Sequence, residues 1–377
     1  MPTKKAYRPR KSPFDRVKEL AAKRNKKNNK PLWDFDRDGV TYTILSRLRS
    51  CKERARLSYV EGWSETGLQA ALEFGSAFHA CLENPLSPPE KITKQYQEQR
   101  IKDKVLFPNQ YMEFEVLMSL VEATVIAYRE RYKQEDKKRN FILHEEAFSV
   151  QYPLTLQPYS FSNEYFTYKQ GSVAAGMQNV RPVRLQGRWD GVFRDEKGKL
   201  WLFETKTKSD IDSEGINRTL SKDLQTMLYV VALELHLKEP VAGVVYNVIK
   251  RPQYRLGKKE NLVTFSRRVR KLLLDNVRSS RENSNVFLRW THTLQPGDKE
   301  LWCKHTLDPL LTQVALWWDS IKGNPFNPWG SPFHNETPFG VYDPLGSGRR
   351  GDFFTLLTGG GTSGLTRREM ASPELAN

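Results

Sequence analysis

Cysteine is scarce in this chain of 377 residues: Cys51, Cys81 and Cys303 are the three present. An odd number at such wide spacing excludes a disulfide framework and fits a reducing, cytoplasmic compartment. No apolar run approaches the roughly eighteen residues that a membrane helix needs. The basic N-terminus is followed by no apolar stretch, so neither a span nor a secretory signal is expected. A glycine-rich loop ending in Lys-Ser or Lys-Thr is missing, which excludes an ATP-driven motor carried by this chain. Internal repeats are absent as well. Acidic charge is in deficit, with 44 Asp and Glu against 60 Lys and Arg and a net charge of +16. That excess points to a polyanionic partner, nucleic acid first, without saying whether it is bound or cut. With 38% hydrophobic and 28% charged residues, the chain is too apolar for wholesale disorder and can bury a sizeable core.

The charge is unevenly placed. Ten of the sixteen net charges lie in residues 1–30, where twelve Lys and Arg face only Asp15 and Glu19. Residues 1–40 therefore read as a flexible basic arm, ordered against phosphates or simply solubilising. A second concentration, Lys250 to Arg281, alternates cations with Val263, Phe265, Val269 and Leu272 to Leu274, as a structured element with one charged face does. Residues 336–377 turn to Gly, Ser, Thr and Arg and read as a flexible tail. Residues 41–335 remain as the folded domain. Within the arm, Asp34-Phe-Asp36-Arg-Asp38-Gly39 begins like a calcium loop, but Leu45 stands where a bidentate Glu is required.

Between the arms the periodicity is mixed. Helical spacing runs over 43–59, 64–83, 111–134, 219–237 and 306–322, and strands are expected at 141–152, 183–194, 199–206 and 241–250. Helices before a hairpin, with a helix and a strand after it, predict an α/β fold: a mixed central sheet flanked by helices. In the hairpin, Asp195-Glu-Lys-Gly198 forms the turn. If it is symmetric about Lys197, Asp190 lies opposite Glu204, and Lys206 shares the face of Glu204. Like charges across a hairpin need compensation. A divalent cation supplies it, and so, more blandly, does a surface salt bridge among Asp190, Glu204 and Lys206. Gln225 and Tyr229 share a face of the following helix. His79 sits in an apolar helix, Phe74-Gly-Ser-Ala-Phe-His79, where a lone His is as a rule a core residue.

Taken together, four motifs in order resemble the RecB-type branch of the PD-(D/E)XK nuclease superfamily, which includes phage exonucleases of the λ kind. They are Gly75-Ser-Ala-Phe-His79, Gly187-Arg-Trp-Asp190-Gly-Val, Glu204-Thr-Lys206-Thr and Gln225-Thr-Met-Leu-Tyr229. The resemblance implies the restriction-endonuclease-like core over residues 41–335. It implies that His79, Asp190, Glu204 and the Thr205 carbonyl bind Mg²⁺ or Mn²⁺, that Asp190, Glu204 and Lys206 are catalytic, and that Gln225 and Tyr229 lie against the substrate. Glu145 or Glu146 is similar to a further acidic position of this branch; adjacent strand residues face opposite ways, and Glu145 is preferred.

Two departures stand out. Trp189 replaces the proline of the signature. Some relatives hold an iron–sulfur cluster, but such a cluster needs four thiolates, and residues 332–345 carry none, so no cluster is expected. Packing of Trp317, Trp318, Phe326, Trp329 and Phe333 is expected to tie down the C-terminal end instead. The implied activity is a metal-dependent deoxyribonuclease, an exonuclease of DNA recombination, repair or phage DNA processing. The alternatives are a non-catalytic DNA-binding protein on a decayed nuclease fold and a site-specific endonuclease. DNA is the expected partner; a protein partner, such as a recombination or replication protein, is left open.

Overall fold

The computed structural model describes residues 30–65, 68–103, 106–155, 180–279 and 286–327, with the short stretches 331, 353, 356, 362 and 364–368. The elements that matter here are α1 (Phe35–Asp38), β1 (Val40–Thr41), α2 (Tyr42–Ser50), β2 (Trp63–Glu65), α3 (Ala70–Glu83), α4 (Pro89–Lys102), α5 (Tyr111–Asp136) and β3 (Asn140–Thr155). They continue with β4 (Val180–Arg194), β5 (Leu200–Lys208), α6 (Leu224–Leu237), β6 (Val241–Lys250), α7 (Leu262–Ser279), β7 (Phe287–Thr293), α8 (Asp308–Ile321) and β8 (Leu365–Arg367). Two compact units result, one drawn from Met1–Thr66, Gln151–Gln186 and Cys303–Asn377, the other from Gly67–Val150 and Gly187–Trp302. No helix of the described residues is long and apolar enough to cross a membrane.

In the second unit the strands run in the order β4-β5-β6-β7, with β3 paired to β4. The β4–β5 and β6–β7 pairs are antiparallel and β5–β6 is parallel, so the sheet is mixed, as the element pattern predicts. The parallel pair needs a crossover, and α6 supplies it, packing on β5 and β6. In the hairpin the Asp195 carboxylate accepts from the backbone N–H groups of Lys197 and Lys199, and Gly198 takes the left-handed φ of +76° that the turn requires. The register that follows, Gly191↔Phe203 to Arg194↔Leu200, is the one symmetric about Lys197. Asp190, one step beyond, therefore comes opposite Glu204.

β6 is buried along almost its whole length, as expected of a central strand. One cluster joins α3, α4, α5 and α7 with Ile249 of β6 and Phe287 of β7. In α7 the buried residues are Phe265, Val269, Leu273 and Val277, one per turn, each contributing about 1.5–3 kcal/mol on burial. Arg267, Arg270, Lys271 and Arg278 are left on the exposed side, so the basic segment is an amphipathic helix.

In the first unit Trp33 is 1% exposed, stacks on Trp317 and donates its indole N–H to the Gly39 carbonyl at 2.8 Å. Asp34 caps α1, accepting from the Asp36 and Arg37 amides, and Val40 pairs with Leu185. An arm reaching residue 40 therefore overshoots: Trp33, Phe35 and Val40 are core, because large apolar side chains interrupt the basic run. The expected tail also has packed residues. Phe353 and Leu356 are buried with Leu57 and Trp63, and β8 pairs with β2. Pairing with β8 also explains why the helix expected at 64–83 starts only at Ala70: residues 63–65 are strand. The helix expected at 43–59 breaks at Cys51, whose thiol caps the next turn by accepting from the Arg54 amide. Trp317, Trp318 and Phe326 are buried as the aromatic reading expects; Trp329, Phe333, residues 1–29 and most of the tail lie outside the described residues.

Candidate active site

Every motif residue singled out in the sequence belongs to the second unit. Gly75 brings α3 close to β5: a Cβ there would lie 3.0 Å from the Thr207 hydroxyl. His79, one turn further along the same face, is thereby carried to the hairpin. Its Nδ1 lies 3.3 Å from Glu145 Oε1 and 3.5 Å from Asp190 Oδ1. One donor atom from each of His79, Glu145 and Asp190 falls within 4.8 Å of the others. Asp190 Oδ2 accepts the backbone N–H of Thr205 at 2.6 Å, which ties β4 to β5 between Glu204 and Lys206.

Glu145 reaches this group through an irregular backbone. Its φ is +47°, a conformation that is strained for a residue with a Cβ. Along β3 the better-buried positions are odd up to 145 and even from 148 onward, so the alternation changes phase at this point. Glu145 turns inward and Glu146 stays exposed. Arg188 holds the kink, donating Nε–H to the Glu145 carbonyl at 2.7 Å and approaching its Oε2 at 3.5 Å.

Glu204 is fully buried. Lys206 Nζ lies 2.6 Å from its Oε1, outside good hydrogen-bond geometry, and Oε2 has no hydrogen-bond partner. Burial, with Asp190 adding to it and Lys206 opposing it, pushes the Glu204 carboxyl up to about 8. Burial alone would lower the pKa of Lys206, but Glu204 and Asp190 more than offset it and raise it, so the ammonium stays charged. Gln225 Oε1 accepts from Lys206 Nζ at 2.5 Å and holds it from α6. Burial likewise disfavours charge on His79, yet Asp190 and Glu145 outweigh it and raise the imidazole to about 9. Burial is also the largest influence on Glu145 and raises its pKa. Burial thus makes Glu204 and Glu145 resist ionisation in spite of the cations beside them.

A divalent cation fits this donor set. Ligands about 2.1 Å from one Mg²⁺ sit roughly 3–4 Å apart, close to the spacing seen here, and carboxylate oxygens are the hard donors it prefers. The orphaned Glu204 oxygen is the second sign of fit, since buried polar atoms are normally partnered.

The family model of the PD-(D/E)XK nuclease superfamily matches residues 40–308, well over half of the chain. The chain belongs to this superfamily. A divalent metal is typical of PD-(D/E)XK nucleases, and membership implies nucleic acid as substrate. No curated protein matches the chain. Of the motif residues, His79, Asp190, Thr205, Lys206 and Gln225 come together with Glu204 and Glu145 through these contacts. Tyr229 is 3% exposed, with its ring edge-on to Phe148 and close to where a Gly187 Cβ would be, and its carbonyl accepts from Trp189 Nε1. Trp189, standing in the proline position, is buried against Phe148 with ring centroids 4.4 Å apart. Sequence reasoning missed Arg188, although it lies inside the Gly187-Arg-Trp-Asp190 motif beside the carboxylates it supports. A cavity of about 390 Å³ lined by residues of α4, α5 and α7 contains none of the motif residues.

Proposed function

We propose that this PD-(D/E)XK protein is a metal-dependent deoxyribonuclease of the RecB and phage-exonuclease branch, acting from DNA ends. The observation that carries the reading is the meeting of His79, Glu145 and Asp190 within 4.8 Å, beside a buried Glu204 that lacks a full set of partners. These side chains, with the Thr205 carbonyl, would hold Mg²⁺ or Mn²⁺. An ion held there would lower the pKa of a nearby water and offset charge on the phosphate. The chain's own residues do the rest. Lys206, kept protonated by Glu204 and Asp190 and oriented by Gln225, holds the scissile phosphate in line for attack by water. The oxygen of water bonds to phosphorus, the bond from phosphorus to the 3′ oxygen breaks, and the products are a 5′-phosphate and a 3′-hydroxyl.

A decayed nuclease site usually loses its lysine or a carboxylate, and both residue types are retained here. The exposed face of α7 suits a phosphate track: Arg267 and Lys271, one turn apart, have no carboxylate partner among the described residues. The test compares end-labelled linear duplex with covalently closed circles, in Mg²⁺ and then EDTA. Cleavage of linear DNA alone supports an exonuclease and cleavage of circles an endonuclease. No cleavage of either, in Mg²⁺ or Mn²⁺, overturns the enzymatic reading. Wild-type rates in Glu204→Ala and Lys206→Ala would refute the site assignment.

A further inference from the structure

Behind the reacting residues lies a second polar arrangement that neither the motifs nor the family match accounts for. Strand register places Thr205 of β5 beside Asn247 of β6, and Asn247 beside Arg289 of β7. Paired residues share a face of the sheet, and this face is opposite to that of Glu204 and Lys206. All three are deeply buried: Thr205 is 1% exposed, Asn247 0%, and the Arg289 side chain 6%. The neighbouring steps of β6 and β7 are apolar or aromatic, Tyr246↔Trp290 and Val248↔Leu288. Asn247 is the one amide in a strand that otherwise reads Val, Ala, Gly, Val, Val, Tyr, Val, Ile before its closing Lys250.

The row is tightly partnered. Asn247 Nδ2 donates to the Tyr128 hydroxyl at 3.0 Å and reaches Thr205 Oγ1 at 3.5 Å, while its Oδ1 lies 3.4 Å from Arg289 Nε. Arg289 also donates to the Tyr128 hydroxyl at 2.9 Å, lies 3.6 Å above the centre of the Tyr132 ring, and is anchored at 2.8 Å to Asp136 at the end of α5. Apolar side chains of similar volume would be about as stable here, since burying a guanidinium costs nearly what its ion pairs return. Apolar packing is not directional, whereas hydrogen bonds fix strand positions. Thr205 is where that direction matters, because its amide holds Asp190 and its two neighbours are Glu204 and Lys206.

We infer that Asn247, Arg289 and Tyr128 are positioning residues that fix β5 from its far face, so that Glu204, Lys206 and the Thr205-bound Asp190 keep the geometry needed to hold the metal and the phosphate. This rests on the nuclease reading for its chemistry, but not for its first readout, which is metal binding. The experiment uses the full chain with Asn247→Leu, Tyr128→Phe and, as a packing control in the apolar part of the same strand, Val244→Ala. Mn²⁺ affinity is measured by calorimetry without DNA, then kcat and KM on linear duplex, and the thermal midpoint of each variant. Misplacement by a fraction of an ångström is expected to weaken Mn²⁺ binding and lower kcat about tenfold in Asn247→Leu, and less in Tyr128→Phe, with KM unchanged. Val244→Ala should lose as much thermal stability and keep both. If kcat and Mn²⁺ affinity instead follow the thermal midpoint alike in all three variants, or do not change, the row only holds the fold together and the inference falls. Should the wild type bind Mn²⁺ but cut no DNA, weaker binding in Asn247→Leu alone keeps the positioning role and removes the nuclease reading. A wild type that binds no Mn²⁺ refutes both.

Discussion

Two of the places where the molecule buries charge are handled differently. In the first unit Arg56 lies between Glu53 and Glu61, donating at 2.7 and 2.8 Å to the two oxygens of Glu53 and at 2.6 Å to Glu61 Oε1. The indole N–H of Trp63 takes the remaining Glu61 oxygen at 2.8 Å. Every carboxylate oxygen has a donor, and although burial opposes the Arg56 charge, the two glutamates raise its pKa. In the second unit Glu204 is as deeply buried but leaves an oxygen unpartnered, and its carboxyl, like that of Glu145, resists ionisation. A complete set of partners marks a charge cluster that holds the chain together; an incomplete one marks a place kept open for something that arrives from solution.

The largest expected effect separates the two clusters outright. Glu204→Gln should cost about a thousandfold or more in cleavage, some 4 kcal/mol of transition-state stabilisation, while the metal-free protein unfolds at the same or a higher temperature. Arg56→Ala should do the reverse, losing about 3–5 kcal/mol in urea unfolding while the folded fraction still cuts. If both variants lost stability and activity together, the contrast would be void.

Next in size is the response to metal. Mg²⁺ or Mn²⁺ at about a hundred times its Kd should stabilise the protein by about 2.7 kcal/mol, and in Glu204→Gln by less. Its pH dependence has a definite sign. Folded Glu204 and His79 hold protons more tightly than they do unfolded, at about 8 against 4.5 and about 9 against 6.5. Their contribution is complete below those unfolded values and is lost as pH rises through the folded ones. Metal-free protein should therefore melt lower at pH 9 than at pH 6, and saturating Mg²⁺ should flatten that slope. A slope that survives in the double variant Glu204→Gln, His79→Ala would assign it elsewhere.

The smallest effect carries the contrast to the surface. Arg268 is paired with Glu260 at 2.8 Å, whereas Arg267 beside it has no such partner among the described residues. Removing Arg267 or Lys271 should weaken DNA binding and lower the salt slope by about one for each cation removed, as fluorescence anisotropy across a salt series would read it. Arg268→Ala should matter less; equal losses would deny that pairing sets a cation's role.

Much of the site was legible because its parts are local. The turn Asp195 to Gly198 dictates the hairpin register, and the register sets Asp190 against Glu204. Gly75 and His79 are one helical turn apart, so the motif carries its own geometry. What escaped depends on distant pairing. Asn247 and Arg289 look like ordinary strand residues until β5, β6 and β7 are aligned. The arm and tail misled for a related reason: composition averages over a segment, while Trp33, Phe353 and Leu356 act singly.

The kink at Glu145 makes the length of β3 matter as much as its composition. Adding one residue between Leu143 and Phe148, or taking one out, moves every later side chain to the other face, unless the change absorbs the kink itself. Removing Glu146 in that second way would leave a straighter and more regular strand. It would also remove the left-handed turn through which Glu145 now reaches His79. In this stretch a deletion that tidies the architecture would take apart the His79, Glu145 and Asp190 group it serves.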